Sequence, residues 1–291
     1  MEQLSSLDAG FLQAEDADPH VSLAIGGLSV LDGPAPDFDE VAAALTGRLM
    51  KIPRLRQVLR THRLDIGAPE WQDRPVLDVS HHIRHAAVPP PGDDAALFRL
   101  TADVIERRLD RAHPLWECWI IEGLADGRWA ILMKVHHCLA DGISAARMLA
   151  RLSDNGTTAT TFATELTAAQ PRDKALRLPT LGLNPLDWGR ALWDASAVAT
   201  GVATQAVKGT IGIVSGLLSP AARTSLTGPL TALRRYRAVR VPMADVDAIC
   251  TAFGVTLNDV ALPAITHRHR EVLLGRGAKP HRSALRTLVP V

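Results

Sequence analysis

An α+β fold built on a mixed sheet is what this sequence predicts, on three observations. Strand-like and helical patterns mix over residues 1–152 without the strict alternation of a doubly wound sheet. Proline and glycine breakers cut the chain into short segments rather than long repeats, and no internal repeat is present. At 291 residues, 47% hydrophobic and 22% charged, the chain can bury a sizeable core and form two domains.

Residues 21–31 read as a strand. A helix comes next over 38–51, with Phe38, Val41, Ala42, Leu45 and Leu49 at helical spacing and Pro53 as its stop. Extended segments are expected over 58–66 and 75–83. The breaker Pro89-Pro90-Pro91-Gly92 precedes a helix over 93–108. Apolar runs over 115–122 and 129–135 read as strands. The threonine-rich stretch 153–166 and the Pro- and Gly-punctuated 171–185 read as linker, and 185–220 as an apolar connector. Beyond Tyr236 the pattern gives a strand-like 237–242, helices over 243–253 and 257–274, and a last strand over 284–291. Three segments result: a domain over 1–152, a linker with connector over 153–235, and the start of a second domain over 236–291.

Chemistry concentrates in His136-His137-Cys138-Leu139-Ala140-Asp141-Gly142, directly after the 129–135 strand. Neighbouring residues on a strand face opposite ways, so if the strand continues through the pair only one histidine reaches a given cavity. A shared metal is therefore not expected. A neutral imidazole at a strand end suits removal of a hydroxyl proton near neutral pH. Asp141 and Gly142 mark a turn, and a helical pattern resumes at Ile143.

This segment resembles the HHxxxDG motif of the coenzyme A-dependent acyltransferase superfamily, with every fixed position present. The opening Leu4-Ser5-Ser6-Leu7-Asp8-Ala9-Gly10-Phe11, the triplet Pro114-Leu115-Trp116 and the pair Asn258-Asp259 are similar to features of its wax ester synthase/diacylglycerol acyltransferase branch. The resemblance implies a chloramphenicol acetyltransferase-like pair of domains facing each other across a channel. It implies transfer of a fatty acyl group from acyl-coenzyme A, as co-substrate and without a further cofactor, to diacylglycerol or a long-chain alcohol. His137 would be the general base, His136 would pack or hydrogen-bond, and Asp141 with Gly142 would hold the turn. Asn258, Asp259, Pro114, Leu115 and Trp116 become substrate-side candidates, although Asp259 equally fits a helix start.

The family's second domain is longer than the stretch after Tyr236, so the expectation is a fragment, its channel completed by a continuation or a complementary chain. Two further readings stay open: a catalytically incomplete piece that binds lipid or a partner chain, and a related enzyme acylating a polyketide or peptide intermediate.

Other classes lose their anchors. The net charge of +1 gives no footprint for nucleic acid. Cys118, Cys138 and Cys250 form no CxxC pair, which fits a reducing cytoplasm, and Glu2 and Asp8 do not suit a signal peptide. The stretch 195–222 carries Lys208 as its one charge between Asp194 and Arg223 but is too weakly apolar for a span. With Trp188 and Trp193 nearby it suits a connector helix or peripheral contact with a membrane or lipid droplet. There is no GxSxG, P-loop or GxGxxG. His81-His82-Ile83-Arg84-His85 repeats the histidine pair but has alanine at 86 and 87, where the motif has Asp and Gly.

Overall fold

The structure, a computed structural model, describes residues 2–4, 6–61, 69–74, 77–139, 224–231 and 233–281. The chain divides into two compact units, one of residues 1–170 with 230–240 and one of 171–229 with 241–291. The linker, the 195–222 stretch and the last strand of the sequence reading lie outside the described residues, apart from 224–231 and 233–235.

The first unit holds two sheets. Strands β2 (Ala24–Leu31), β5 (Ile83–Ala87), β6 (Trp116–Glu122) and β7 (Trp129–His136) form a four-stranded sheet in the order β2-β7-β6-β5. Its β5/β6 pair is parallel and its other pairs antiparallel, the mixed sheet expected from sequence. Strands β1 (Glu2–Gln3), β3 (Gln57–Arg60) and β4 (Glu70–Asp73) form a small antiparallel sheet in the order β1-β4-β3.

Every residue of β7 is buried, which explains a run that is apolar from Trp129 to Met133, as in a central strand covered on both faces; the buried Lys134 interrupts it and donates its Nζ to Arg107 O. Trp116, Cys118, Ile120, Ile131, Met133 and Val135 join one core cluster with Leu45 and Leu49 of helix α2 (Phe38–Leu49) and Trp71 of β4. Ile121, Ala130 and Leu132 face the other way, onto Ala96, Leu97 and Val104 of helix α3 (Asp94–Glu106). Fully burying one such leucine contributes about 1.5–3 kcal/mol.

Capping residues set the helix starts. The Asp37 carboxylate accepts the Asp39 and Glu40 N–H groups, and that of Asp93 accepts Ala96 N–H at 2.7 Å. At Gly92 φ is +71°, and an added Cβ would lie 2.1 Å from the Gly123 carbonyl oxygen. Only glycine lets these two loops meet.

Strands β1, β4 and β5 have no counterpart in the sequence reading, and three further details differ. Helix α1 (Ser6–Ala17) has no counterpart in it. Strand β2 begins at Ala24 rather than Val21, because Val21 N–H closes a turn on Asp18 O and Leu23 N–H goes to the Glu15 side chain. Within 75–83, expected to be extended, Val79–His81 forms a 3-10 turn nucleated by Asp78, whose carboxylate accepts Ser80 N–H.

In the second unit the described residues include helices α4 (Met243–Phe253) and α5 (Leu257–Gly275), close to their expected bounds. Gly254, at φ +62°, ends α4, and a Thr256/Asp259 capping box opens α5. The strand-like 237–242 pairs with no strand among the described residues. Among the described residues no single helix is long and apolar enough to cross a membrane.

Candidate active site

The histidine pair sits where β7 ends. His136 closes the strand opposite Ala24 of β2, and its N–H donates to Leu115 O at 3.0 Å. The strand does not run on through the pair: a turn closed by Leu139 N–H on His136 O, 2.9 Å, begins at once. His137 N–H still reaches back to Leu23 O at 2.9 Å, one residue before β2 begins. The two rings therefore differ through the bonds around them rather than through simple strand alternation.

His136 is committed. It is 1% exposed, and its Nδ1 accepts the Cys138 N–H at 3.1 Å with the Cys138 Sγ at 2.9 Å. An Nδ1 that accepts a backbone N–H leaves the ring proton on Nε2 in the neutral form. Nε2 faces the Glu15 carboxylate at 3.4 Å. Glu15 lies on α1 and is buried. Its Oε1 accepts Leu23 N–H at 2.7 Å, and its Oε2 lies 3.2 Å from the Arg111 guanidinium. Arg111 also reaches Asp16 at 2.8 Å. Burial opposes ionisation of Glu15, but His136, Leu23 N–H and Arg111 outweigh it and hold the carboxyl at about 2. Burial pushes the Cys138 thiol up to about 12, which makes it a packing group rather than a nucleophile.

His137 is uncommitted. Half-buried, its ring rests on Phe11 of α1, centroids 4.2 Å apart and planes tilted by 39°. Among the described residues its Nδ1 is buried without a hydrogen-bond partner, and the same holds for His136 Nε2, 3.4 Å from Glu15. Phe11 and Glu15, one helical turn apart, thus put one helix against both histidines, Phe11 on His137 and Glu15 on His136. Asp141 and Gly142 lie outside the described residues.

Elsewhere the candidates take different places. Pro114, Leu115 and Trp116 are buried, Leu115 and Trp116 completely. Trp116 Nε1–H donates to Leu55 O at 2.8 Å, and its ring stacks on His82 at 4.5 Å. The side chains of Leu115 and Trp116 pack in the core, and the Leu115 carbonyl takes the His136 N–H. Asn258 and Asp259 are exposed at the start of α5, where Asp259 is the capping-box carboxylate, accepting from Thr256 N–H at 2.9 Å. The second histidine pair behaves differently from the motif. His82 is buried with Nδ1 2.8 Å from Trp116 O, whereas His81 stacks on His113 at 4.7 Å. Among the described residues no group of three or more His, Cys, Asp or Glu is arranged for a metal ion.

Sequence reasoning misses Glu15, Phe11 and Arg111 as members of the site. For the first two a signal exists: Ser5-Ser6-Leu7-Asp8 has the S-x-x-D form of a helix start, and Phe11, Leu12 and Glu15 share one face of the helix it opens.

Residues 4–261 match the wax ester synthase/diacylglycerol acyltransferase catalytic domain. A Mycobacterium tuberculosis protein named as a probable diacylglycerol O-acyltransferase, tgs1, is 50% identical over 292 residues, spanning 100% of this chain and 62% of its own length. A second M. tuberculosis protein carrying a diacylglycerol O-acyltransferase name is 47% identical over 289 residues, spanning 99% of this chain and 59% of its own. The solved wax ester synthase/diacylglycerol acyltransferase from Marinobacter aquaeolei VT8 superposes with a TM-score of 0.60 at 30% identity, over 96% of this chain and 62% of that one. The chain spans about three fifths of the length of the relatives it matches.

Proposed function

The chain belongs to the wax ester synthase/diacylglycerol acyltransferase family, and from that premise we propose that it carries the base-bearing part of an enzyme that moves a fatty acyl group from acyl-coenzyme A to a hydroxyl. The acceptor is diacylglycerol, giving triacylglycerol, or a long-chain alcohol, giving a wax ester. One observation carries the reading: of two adjacent histidines, His136 is fully buried with its Nδ1 on the Cys138 N–H and its Nε2 beside the Glu15 carboxylate, while His137 is only half-buried and its Nδ1 takes no such bond among the described residues.

In this mechanism the His137 imidazole takes the acceptor's hydroxyl proton as that oxygen attacks the thioester carbonyl. The C–S bond breaks, the new C–O bond forms the ester, and the proton returns to the coenzyme A thiolate as a thiol. Direct transfer needs no acyl-enzyme, and a general base typically contributes about 10²- to 10⁴-fold. Holding both substrates in one channel supplies much of the remaining acceleration. By the motif, Asp141 and Gly142 are positioning candidates, and Asn258 is a substrate-side candidate.

A second reading rests on length, since relatives extend well beyond what this chain covers: a piece that binds lipid, or a complementary chain, without turning over. Work at a peripheral membrane or lipid-droplet surface accords with either. The test is incubation of the purified chain with radiolabelled acyl-coenzyme A and either diacylglycerol or hexadecanol. Labelled triacylglycerol or wax ester supports the enzyme and names its acceptor. No ester from either, with binding of vesicles containing diacylglycerol intact, favours the second reading.

A further inference from the structure

We propose that Glu15 is the positioning residue of the active site, fixing the tautomer of His136 and, through Leu23, the backbone of His137. The inference rests on the reading of His137 as base.

A carboxylate buried this deeply needs compensation, and two of its partners, Leu23 N–H and His136, bear on the pair. Its Oε1 takes Leu23 N–H at 2.7 Å, and the carbonyl of that same Leu23 takes the His137 N–H at 2.9 Å. One residue of backbone thus links the Glu15 carboxylate to the backbone of the base. The same oxygen faces His136 Nε2 at 3.4 Å, reinforcing the tautomer that the Cys138 N–H imposes from the other side of the ring. Its Oε2 is held by Arg111, which is anchored in turn on Asp16 and on Leu12 O. Arg108 bonds the carbonyls of Glu15, Asp18 and Val21, fastening the end of α1 and the approach to β2. The carboxylate therefore has little freedom to move, and neither does what it holds. Outer groups that orient a metal-ligating histidine are worth about 10- to 100-fold when removed, and an effect of that size is expected for one that orients a base.

The test compares wild type, Glu15→Gln and His137→Ala, each at equal folded concentration. Glu15→Gln should lower kcat about 10- to 100-fold with KM for acyl-coenzyme A within about twofold. Ring ¹⁵N spectra of the wild type should show His136 protonated at Nε2, and the His137 amide should exchange at least about tenfold faster in Glu15→Gln. Wild-type kcat in Glu15→Gln beside an inactive His137→Ala overturns the role of Glu15 and leaves the base intact. Full turnover in His137→Ala removes the base, and this inference with it. Should the variant not fold or turnover be absent, the wild-type spectra decide: a His136 proton on Nδ1 overturns the proposal.

Discussion

Acid should unfold the first unit in a way that one substitution can isolate. Glu15 stands at about 2 in the folded chain against an ordinary 4.5, held down by His136, the Leu23 N–H and Arg111 against the cost of burial. A depressed carboxylate stabilises the fold at pH above its unfolded value, and that stability drains away as pH falls towards its folded value. The difference of about 2.5 pH units, at about 1.36 kcal/mol each, amounts to about 3 kcal/mol at pH 6 and above. More than half of it should be gone by pH 3. Glutamine keeps the carbonyl acceptor for Leu23 but has no charge to lose. Urea unfolding of wild type and Glu15→Gln, read by the fluorescence of Trp71, Trp116, Trp119 and Trp129, should show a gap of about 3 kcal/mol at pH 6 that narrows to about 1 kcal/mol at pH 3. A gap of equal size at both pH values would refute the claim that this carboxylate is held ionised by its neighbours.

Two substitutions probe the scaffold beneath the site. Gly92→Ala should lower the melting temperature sharply, because the new Cβ would lie 2.1 Å from the Gly123 carbonyl at a φ of +71°; an unchanged melt would show that these loops are not in contact. Trp116→Phe should cost about 1–3 kcal/mol by leaving Leu55 O without its donor in the core, and chemical denaturation reads this directly.

How much the sequence discloses depends on how local each signal is. Helices α2 to α5 are legible because their starts and stops are written in adjacent residues: Asp37, Asp93, Gly254 and the Thr256/Asp259 box. Strands β6 and β7 are legible because they are mostly apolar, as central strands are. The 3-10 turn at Val79–His81 is hidden by the apolar residues around it, its cause being the single side chain of Asp78. Sheet order is out of reach, since the parallel pairing of β5 with β6 is made across the whole of α3. At the site, the motif marks both histidines, but their division of labour depends on Glu15 and Arg111, residues 96 positions apart that meet only after folding. The burial of Leu115 and Trp116 follows from their apolar character. Their side chains fill the core, and only the Leu115 carbonyl reaches the pair.

The assignment of the base is tested most directly by the initial rate of ester formation from labelled acyl-coenzyme A by His137→Ala, beside wild type and a matched melting curve. Loss of about 10²- to 10⁴-fold in rate with an unchanged melt is the expected result. A rate within about twofold of wild type would contradict the account, because a general base worth so little is no general base.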